Sequence, residues 1–598
     1  MAKEKRGKAA RRKAPPSQPP RAATAVLEKP SAKFDILFVA GVFLLGFAIY
    51  ARSLWGPFLF DDGDLLEVRS AVRLKDWYII LTGPRPLLIF SFALNHWLTG
   101  TDPFYFHLVS VLLHCLNTLI LWLVVRRLCE TPGLSGRLTP AARTLLAAAL
   151  PLLFLASPIQ TESVGYISSR SEVLAATFYL LALLVFLSNW REKRPWVTAL
   201  VAAVFYGCAV TSKQHAITLP GAILLTDYFF LAEQDWRRLR KNWPTYAVLG
   251  VEMATGAFIV LRQVIHVPSA GFFLRGVTWK TYLFTQFRMY FLYLRLLLVP
   301  FGLNADYDIQ PSHSLLEHFS WLSLAGLLVL LGTVIYLRRR WALVSFGVLF
   351  FFLTLFPTSS FYPLLDYAGE RRLYLPSIGF FLAALALLLE QWGNRRALAL
   401  ALGAVLAVFS VGTHLRNRVW ADGLALWQDV AEKSPNKWRA QNNLGEQLSQ
   451  RGRFEEATRA FQRAAELVPR NGRQKAEVLS SLGSSYANRK MYREAVVTYH
   501  EALKISPNSA TLWTNLGIAE IRRQRPIGWH HFQRAIEINP LAWEPHFARG
   551  NMYLQSGRID EAIKDYQRVL QLVPEHAGAR QNLEVAMAMK KRAAGGRP

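Results

Sequence analysis

At 598 residues the chain is too long for one hydrophobic core, so several folding units are expected. Its 52% hydrophobic content and 18 Trp, with long uncharged runs, exclude a purely soluble protein. The formal charge of +28 does not read as a nucleic-acid surface: it sits in an N-terminal tail and in short clusters beside apolar segments, and no RNA- or DNA-binding motif accompanies it.

In chain order, residues 1–33 open with "MAKEKRGKAARRK" and continue through "KAPPSQPPRAAT", which reads as a disordered, basic, cytoplasmic tail. This tail is too long and proline-rich for the leading region of a cleaved signal peptide, so the first apolar segment is expected to remain as an anchor. Residues 34–414 hold about twelve apolar candidates, near 34–54, 104–127, 142–157, 171–190, 196–211, 216–233, 244–264, 280–300, 318–337, 342–361, 372–391 and 396–413. Basic clusters at 126–127, 191–194, 237–241, 338–340 and 395–396 flank them, as the positive-inside rule predicts for cytoplasmic loops. The segment 280–300 carries Arg288 and Arg295 among aromatics, which suits an interfacial or re-entrant helix. Leaving it out gives about 11 transmembrane helices and places every cluster inside. The C-terminal region then lies outside the cytoplasm, on the same side as Asp61–Asp64. Cys115, Cys129 and Cys208 lie in or beside apolar segments without metal-ligand spacing, so neither a disulfide framework nor zinc is expected.

Beyond a linker at 415–436 the composition turns soluble and repeats with a period near 34. Gly445, Gly483, Gly517 and Gly550 recur at one place, and Pro469, Pro507, Pro540 and Pro574 close successive units. Small residues at a helix crossing and Pro at the end are the tetratricopeptide pattern. Four repeats and a capping helix at 577–591 predict an all-α solenoid over 437–598. Its groove can hold a peptide or protein, or the array can serve assembly and spacing alone.

The chemistry is concentrated in polar islands at the ends of apolar segments. "FLFDDGD" (58–64) carries Asp61, Asp62 and Asp64 just past the first one. Adjacent carboxylates near a bilayer raise one another's pKa, as a general base needs, yet acidic turns are also common. In 85–117, Asn95, His96, His107, His114 and Asn117 bring polar groups into apolar helices, and His107 and His114 share a face. Any one of these is more often a packing residue than a catalyst, and no carboxylate or third His completes a zinc site. "SPIQTESVGYISSRSEVLA" (157–175) offers Glu162, Arg170 and Glu172, for helix capping and charge pairing or for substrate. "TSKQHAIT" adds Lys213 and His215. "DYAGERRLYLPSIGF" adds Arg371 and Arg372, which fall outside the cytoplasm against the charge trend. They pair with Asp366 or Glu370, or they grip an anionic lipid phosphate.

Taken in order, "FDDGD", "RPLLIFSFALNHWLTGTDPFYFHLVSVLLHCLN", "SPIQTESVGYISSRSEVLA", "SKQHAIT" and "RRLYLPSIGF", followed by the repeats, resemble the transmembrane and tetratricopeptide-repeat O-mannosyltransferases and their bacterial relatives, from about 34 to 590. The resemblance implies a GT-C fold and an inverting transfer of a sugar, mannose by analogy, from a polyprenyl-phosphate donor to an extracytoplasmic acceptor such as protein Ser or Thr. It maps the family's catalytic acidic pair onto Asp61 and Asp62. Lys213, Arg371 and Arg372 are then candidates for the donor phosphate, and His107, Arg170 and Glu162 for substrate contact. Neither metal nor cofactor is implied, the lipid-linked sugar being a substrate. Ser157 stands where relatives often have His before "PIQTE", so no role of that His carries over. The basic tail and the lack of an endoplasmic-reticulum retrieval signal fit a bacterial inner membrane, a eukaryotic one staying open. Competing readings are a non-catalytic scaffold that recruits envelope proteins through the repeats, and a polysaccharide ligase, polymerase or lipid-sugar transporter.

Overall fold

The computed structural model describes residues 32–60, 62, 83, 85–190, 194–264, 277–469 and 472–595. Two units separate at Gly41: Met1–Gly41, within which Phe34 and Phe38 stack at 6.2 Å, and Val42–Pro598. The elements among the described residues are all helices, without a strand.

Every apolar candidate contains a helix. These are α1 (Ala32–Tyr50), α2 (Pro86–Thr99), α3 (Pro103–Cys129), α4 (Pro140–Ala156), α5 (Arg170–Ser188), α6 (Pro195–Ser212), α7 (Leu219–Thr226), α8 (Trp243–Val264), α9 (Trp279–Leu298), α10 (Ser320–Tyr336), α11 (Ala342–Leu355), α12 (Pro376–Gln391) and α13 (Arg395–Trp420), with α2 lying in the polar-rich stretch before α3. Their starts follow from local chemistry. Pro103 and Pro140 occupy the first helical position, where a missing N–H costs nothing. Asp102 accepts from Phe104 N at 3.0 Å and Thr139 from Ala142 N at 3.3 Å, capping the exposed amides.

Among the described residues, six helices are long and apolar enough to cross a membrane. A seventh crossing arises if Pro140–Ala156 and Pro158–Gly165, bent by 49°, count as one. Length and composition therefore give fewer crossings than the eleven expected, for physical reasons. Residues 216–233 break into the eight-residue α7 and a π-helical turn at Asp227–Leu231, and α11 and α12 span only 14 and 16 residues. Helix α9 turns its arginines onto the chain that follows. Arg288 Nη1 donates to Gln310 O at 2.9 Å and Arg295 Nη1 to Phe301 O at 3.0 Å, which gives each charge a backbone partner.

The bundle has two unlike ends. At one end the basic loops meet: Arg137 Nη1 donates to Arg339 O at 3.2 Å, and Gln234 Nε2 to Arg338 O at 2.8 Å. At the other end the loops after α1 and α4 and the stretch 356–375 converge on the start of the solenoid. The expected linker 415–436 is itself helical: α13 runs unbroken to Trp420, and α14 (Gly423–Lys433) begins on Asp422, which accepts from Leu424 N at 2.7 Å. Trp420, Leu426, Trp427 and Val430 pack with Leu59 and Tyr166 in one buried cluster, so this segment is a wedge and not a tether.

The repeats follow as helix pairs α15 (Trp438–Gln450) and α16 (Phe454–Leu467), α17 (Arg473–Asn488) and α18 (Tyr492–Ile505), α19 (Ala510–Arg522) and α20 (Gly528–Ile538), α21 (Glu544–Gln555) and α22 (Ile559–Leu572). The closing helix α23 covers Ala577–Gly595. The recurrent glycine is a packing requirement. A Cβ at Gly445 would lie 2.7 Å from the Phe461 ring, at Gly483 2.6 Å from Tyr499 and at Gly550 2.9 Å from Tyr566. Gly483→Ala is therefore expected to destabilise the solenoid by about 1–3 kcal/mol through overpacking. An unchanged thermal midpoint of the purified full chain would refute that.

Candidate active site

The chain leaves α1 through a 3₁₀ turn, Ser53–Trp55, and runs extended past Gly56. A Cβ at Gly56 would press on Ser53 O and Trp420 O at 3.2 Å and on His107 Nε2 at 3.3 Å, so a glycine lets the chain pass. His107 is buried, with Nε2 3.2 Å from Gly56 O; it braces the base of the acidic loop. Phe60 then adopts φ +50°, a left-handed conformation disfavoured for a bulky residue. Its ring is held 5.1 Å from Tyr166 and 5.0 Å from Trp427. Asp61 and Asp64 lie outside the described residues.

Asp62 is 1% exposed, with both oxygens engaged. Oδ2 accepts from Leu59 N at 3.0 Å; Oδ1 accepts from Ser168 N at 2.9 Å and Ser168 Oγ at 2.6 Å. The carboxylate thus ties the backbone at Leu59 to the loop 157–172.

That same loop holds the two basic segments. Glu162, buried, accepts from Arg371 N at 2.9 Å and from Arg371 Nη1 at 2.5 Å. Glu172 lies 3.1 Å from Lys213 Nζ and 3.4 Å from His215 Nδ1, and Lys213 also donates to Ser171 Oγ at 3.3 Å. One loop of sixteen positions therefore carries, in order, the partners of Arg371, Asp62 and Lys213. Burial lowers the Lys213 ammonium to about 8, helped by the charges of Arg85 and Arg371 and opposed by Glu172. Burial also works against the Arg371 charge, but Glu162 and Asp366 outweigh it and hold this guanidinium above its ordinary pKa.

The other candidates are occupied elsewhere. Arg372 is buried: Nη1 donates to Tyr282 Oη at 3.2 Å, Thr358 O at 3.3 Å and Tyr367 O at 3.2 Å, and Nη2 to Asp366 O at 2.6 Å. It staples the stretch 358–367, while Arg371 keeps 29% of its side chain exposed. Arg170 is fully buried, donating to Asn95 Oδ1 at 3.0 Å and Phe106 O at 2.8 Å, with its guanidinium 4.6 Å from the Phe92 ring. It joins α2, α3 and α5 behind the loop. His114 and Asn117 share Tyr374 Oη, at 2.7 and 3.1 Å, and bond backbone carbonyls with their other nitrogens or protons.

Sequence reasoning passed over Ser168, whose backbone and hydroxyl both hold Asp62; a serine in a Ser-rich loop gives no signal of that. It also missed Arg85, whose charge acts on Lys213 and His215. Ser169 Oγ, His107 Nδ1 and Trp420 Nε1 are buried around this loop without a hydrogen-bond partner among the described residues.

A multi-pass helical membrane domain, with acidic and basic side chains gathered at the end that bears a tetratricopeptide solenoid, defines the class. Residues 83–259 match the family described as dolichyl-phosphate-mannose-protein mannosyltransferase, and 438–471 and 543–576 match the tetratricopeptide repeat. The chain is 26% identical over 505 residues to protein O-mannosyl-transferase TMTC1 of Homo sapiens, a match covering 73% of this chain and 55% of that protein. It is 25% identical to Tmtc3 of Drosophila melanogaster, covering 79% and 59%, and 24% identical to TMTC3 of Mus musculus, covering 90% and 64%. The chain thus spans between half and two thirds of these relatives' lengths. A solved tetratricopeptide protein with an unusual peptide-binding site, YrrB, is 26% identical, covering 28% of this chain and 84% of its own, with a TM-score of 0.21. This chain is similar over most of its length to the transmembrane and tetratricopeptide-repeat O-mannosyltransferases.

Proposed function

We propose that the chain is an inverting glycosyltransferase that moves a sugar, mannose in the first instance, from a polyprenyl phosphate to hydroxyls of an extracytoplasmic protein. The observation that carries this reading is the loop 157–172, on which Asp62, Arg371 and Lys213 converge from segments far apart in sequence. Asp61 takes the proton of the acceptor hydroxyl as that oxygen attacks the anomeric carbon. The new C–O bond forms as the anomeric carbon–phosphate oxygen bond breaks, and the pair of electrons leaves on the lipid phosphate. That phosphate gains one negative charge, so a fixed cation nearby favours the transition state over the ground state, and no general acid is required. Arg371 and Lys213 supply it; Arg372 keeps the loop in place. Asp62, bonded to Leu59 N and to Ser168, anchors the chain next to Asp61.

The repeats present the acceptor. The reading places the basic-loop end in the cytoplasm and the site with its solenoid outside, in a bacterial inner membrane, as the charge asymmetry of the loops supports. The test reconstitutes the purified protein in vesicles with polyprenyl-phosphate mannose and an extract of envelope proteins, and reads glycopeptides by mass spectrometry. Hexose on Ser or Thr is expected. Movement of the lipid across the bilayer without any modified acceptor would favour a transporter, and capture of envelope proteins without transfer would favour a scaffold; either would overturn the proposal.

A further inference from the structure

The solenoid touches the site through one charged chain. Arg439, in the first turn of α15, places Nη2 2.5 Å from Asp366 Oδ1 and 3.0 Å from Asp306 Oδ1. The other Asp366 oxygen lies 3.9 Å from Arg371 Nη2. Arg371 is therefore drawn from two sides, by Glu162 of the loop and by Asp366, and Asp366 in turn is held by the repeats. Around this contact Lys437 pairs with Asp306 and donates to Tyr307 O at 2.8 Å, and Ser434 Oγ donates to Asp306 O at 2.8 Å. The junction is thus a bonded interface.

The repeat register makes Arg439 unusual. It stands six residues before Gly445, as Glu477 stands before Gly483 and Thr511 before Gly517. Glu477 and Thr511 line a cavity of about 530 Å³ together with Ser480 and Leu512. The position that faces a cavity in the second and third repeats is, in the first, filled by Asp306 and Asp366 of the membrane domain.

We propose that Arg439 is a positioning residue that acts through Asp366 to set the guanidinium of Arg371 for the donor's lipid phosphate, so that docking of the first repeat tunes donor binding. This rests on the glycosyltransferase reading. Burial opposes the Asp366 charge, but Arg439 and Arg371 outweigh it and hold this carboxyl at about 2, so it is anionic at any working pH. Without Arg439 that anion has Arg371 as its remaining guanidinium partner and competes with phosphate for it.

Arg439→Ala is expected to raise the donor KM roughly tenfold with kcat within about threefold, the size of coupling carried by residues that touch neither substrate. Adding Asp366→Asn restores the donor KM, because the released anion is what misplaces Arg371; Arg439→Lys restores it in part. Affinity for polyprenyl phosphate alone, measured in the same vesicles, follows the same order. An unchanged donor KM in Arg439→Ala, or a double variant no better than the single, overturns the inference while leaving the transferase reading intact. A wild-type protein that neither transfers sugar nor binds polyprenyl phosphate overturns both.

Discussion

Asp61→Asn is expected to lower sugar transfer by about 10²–10⁴-fold, the range that a positioned general base contributes, without change in membrane insertion or thermal midpoint. The expectation comes from its neighbours. Phe60 is held left-handed by Tyr166 and Trp427, and Asp62 is bonded to Leu59 N and to both donors of Ser168. The neighbours of residue 61 in the chain are thus both fixed, Phe60 by its ring contacts and Asp62 by its hydrogen bonds. Asp62→Ala separates the roles: it removes three hydrogen bonds from a buried position, so transfer and thermal midpoint fall together. Two assays on two variants, transfer in vesicles and unfolding in detergent, check this. Full activity in Asp61→Asn would remove the acidic pair from the mechanism, and with it the present reading of the site.

What was legible in the sequence is what short spacing encodes. The 34-residue period, with Gly445, Gly483 and Gly550 against Phe461, Tyr499 and Tyr566, gave each repeat its two helices because helix crossing is a local demand. The apolar segments were legible as helices for the same reason, although their number as crossings was not: the π-helical turn at Asp227–Leu231 and the short α11 and α12 depend on packing that composition does not record. The wedge at 415–436 read as a linker because α14 is half polar, and its apolar face finds Leu59 and Tyr166 only in three dimensions. In the candidate site, the motif segments could be named, and Asp366 as a partner of Arg371, but not the partners far away in sequence. Asp62 and Ser168 are 106 positions apart, Glu162 and Arg371 are 209. Nothing in "RR" tells the first arginine from the second, yet a 3₁₀ turn sends Arg371 to Glu162 and Arg372 into the carbonyls of 358–367.

That division between neighbours makes Arg371→Ala the second large effect. The substitution removes the partly exposed cation placed at the loop, and transfer is expected to fall by about 10²–10³-fold, the cost of losing one preorganised charge-stabilising donor. The donor KM rises with it, because the phosphate is already anionic in the ground state, whereas the acceptor KM stays put. Arg371→Lys recovers only part, since a point charge replaces a fork that grips Glu162 and phosphate together. Lys213 then becomes the main cation, and it is a titrating one. Its ammonium, lowered to about 8 by burial and by its cationic neighbours, is charged below that pH and neutral above it. Removing Arg371 takes away one of the charges that lower it, so donor affinity in Arg371→Ala is expected to weaken further as pH rises through a point above 8, while the wild type, with Arg371 charged throughout, weakens less. A pH profile of the donor KM in both proteins checks this. A flat profile in the variant would take Lys213 out of the phosphate site, and an unaltered donor KM in Arg371→Ala would take out the arginine as well.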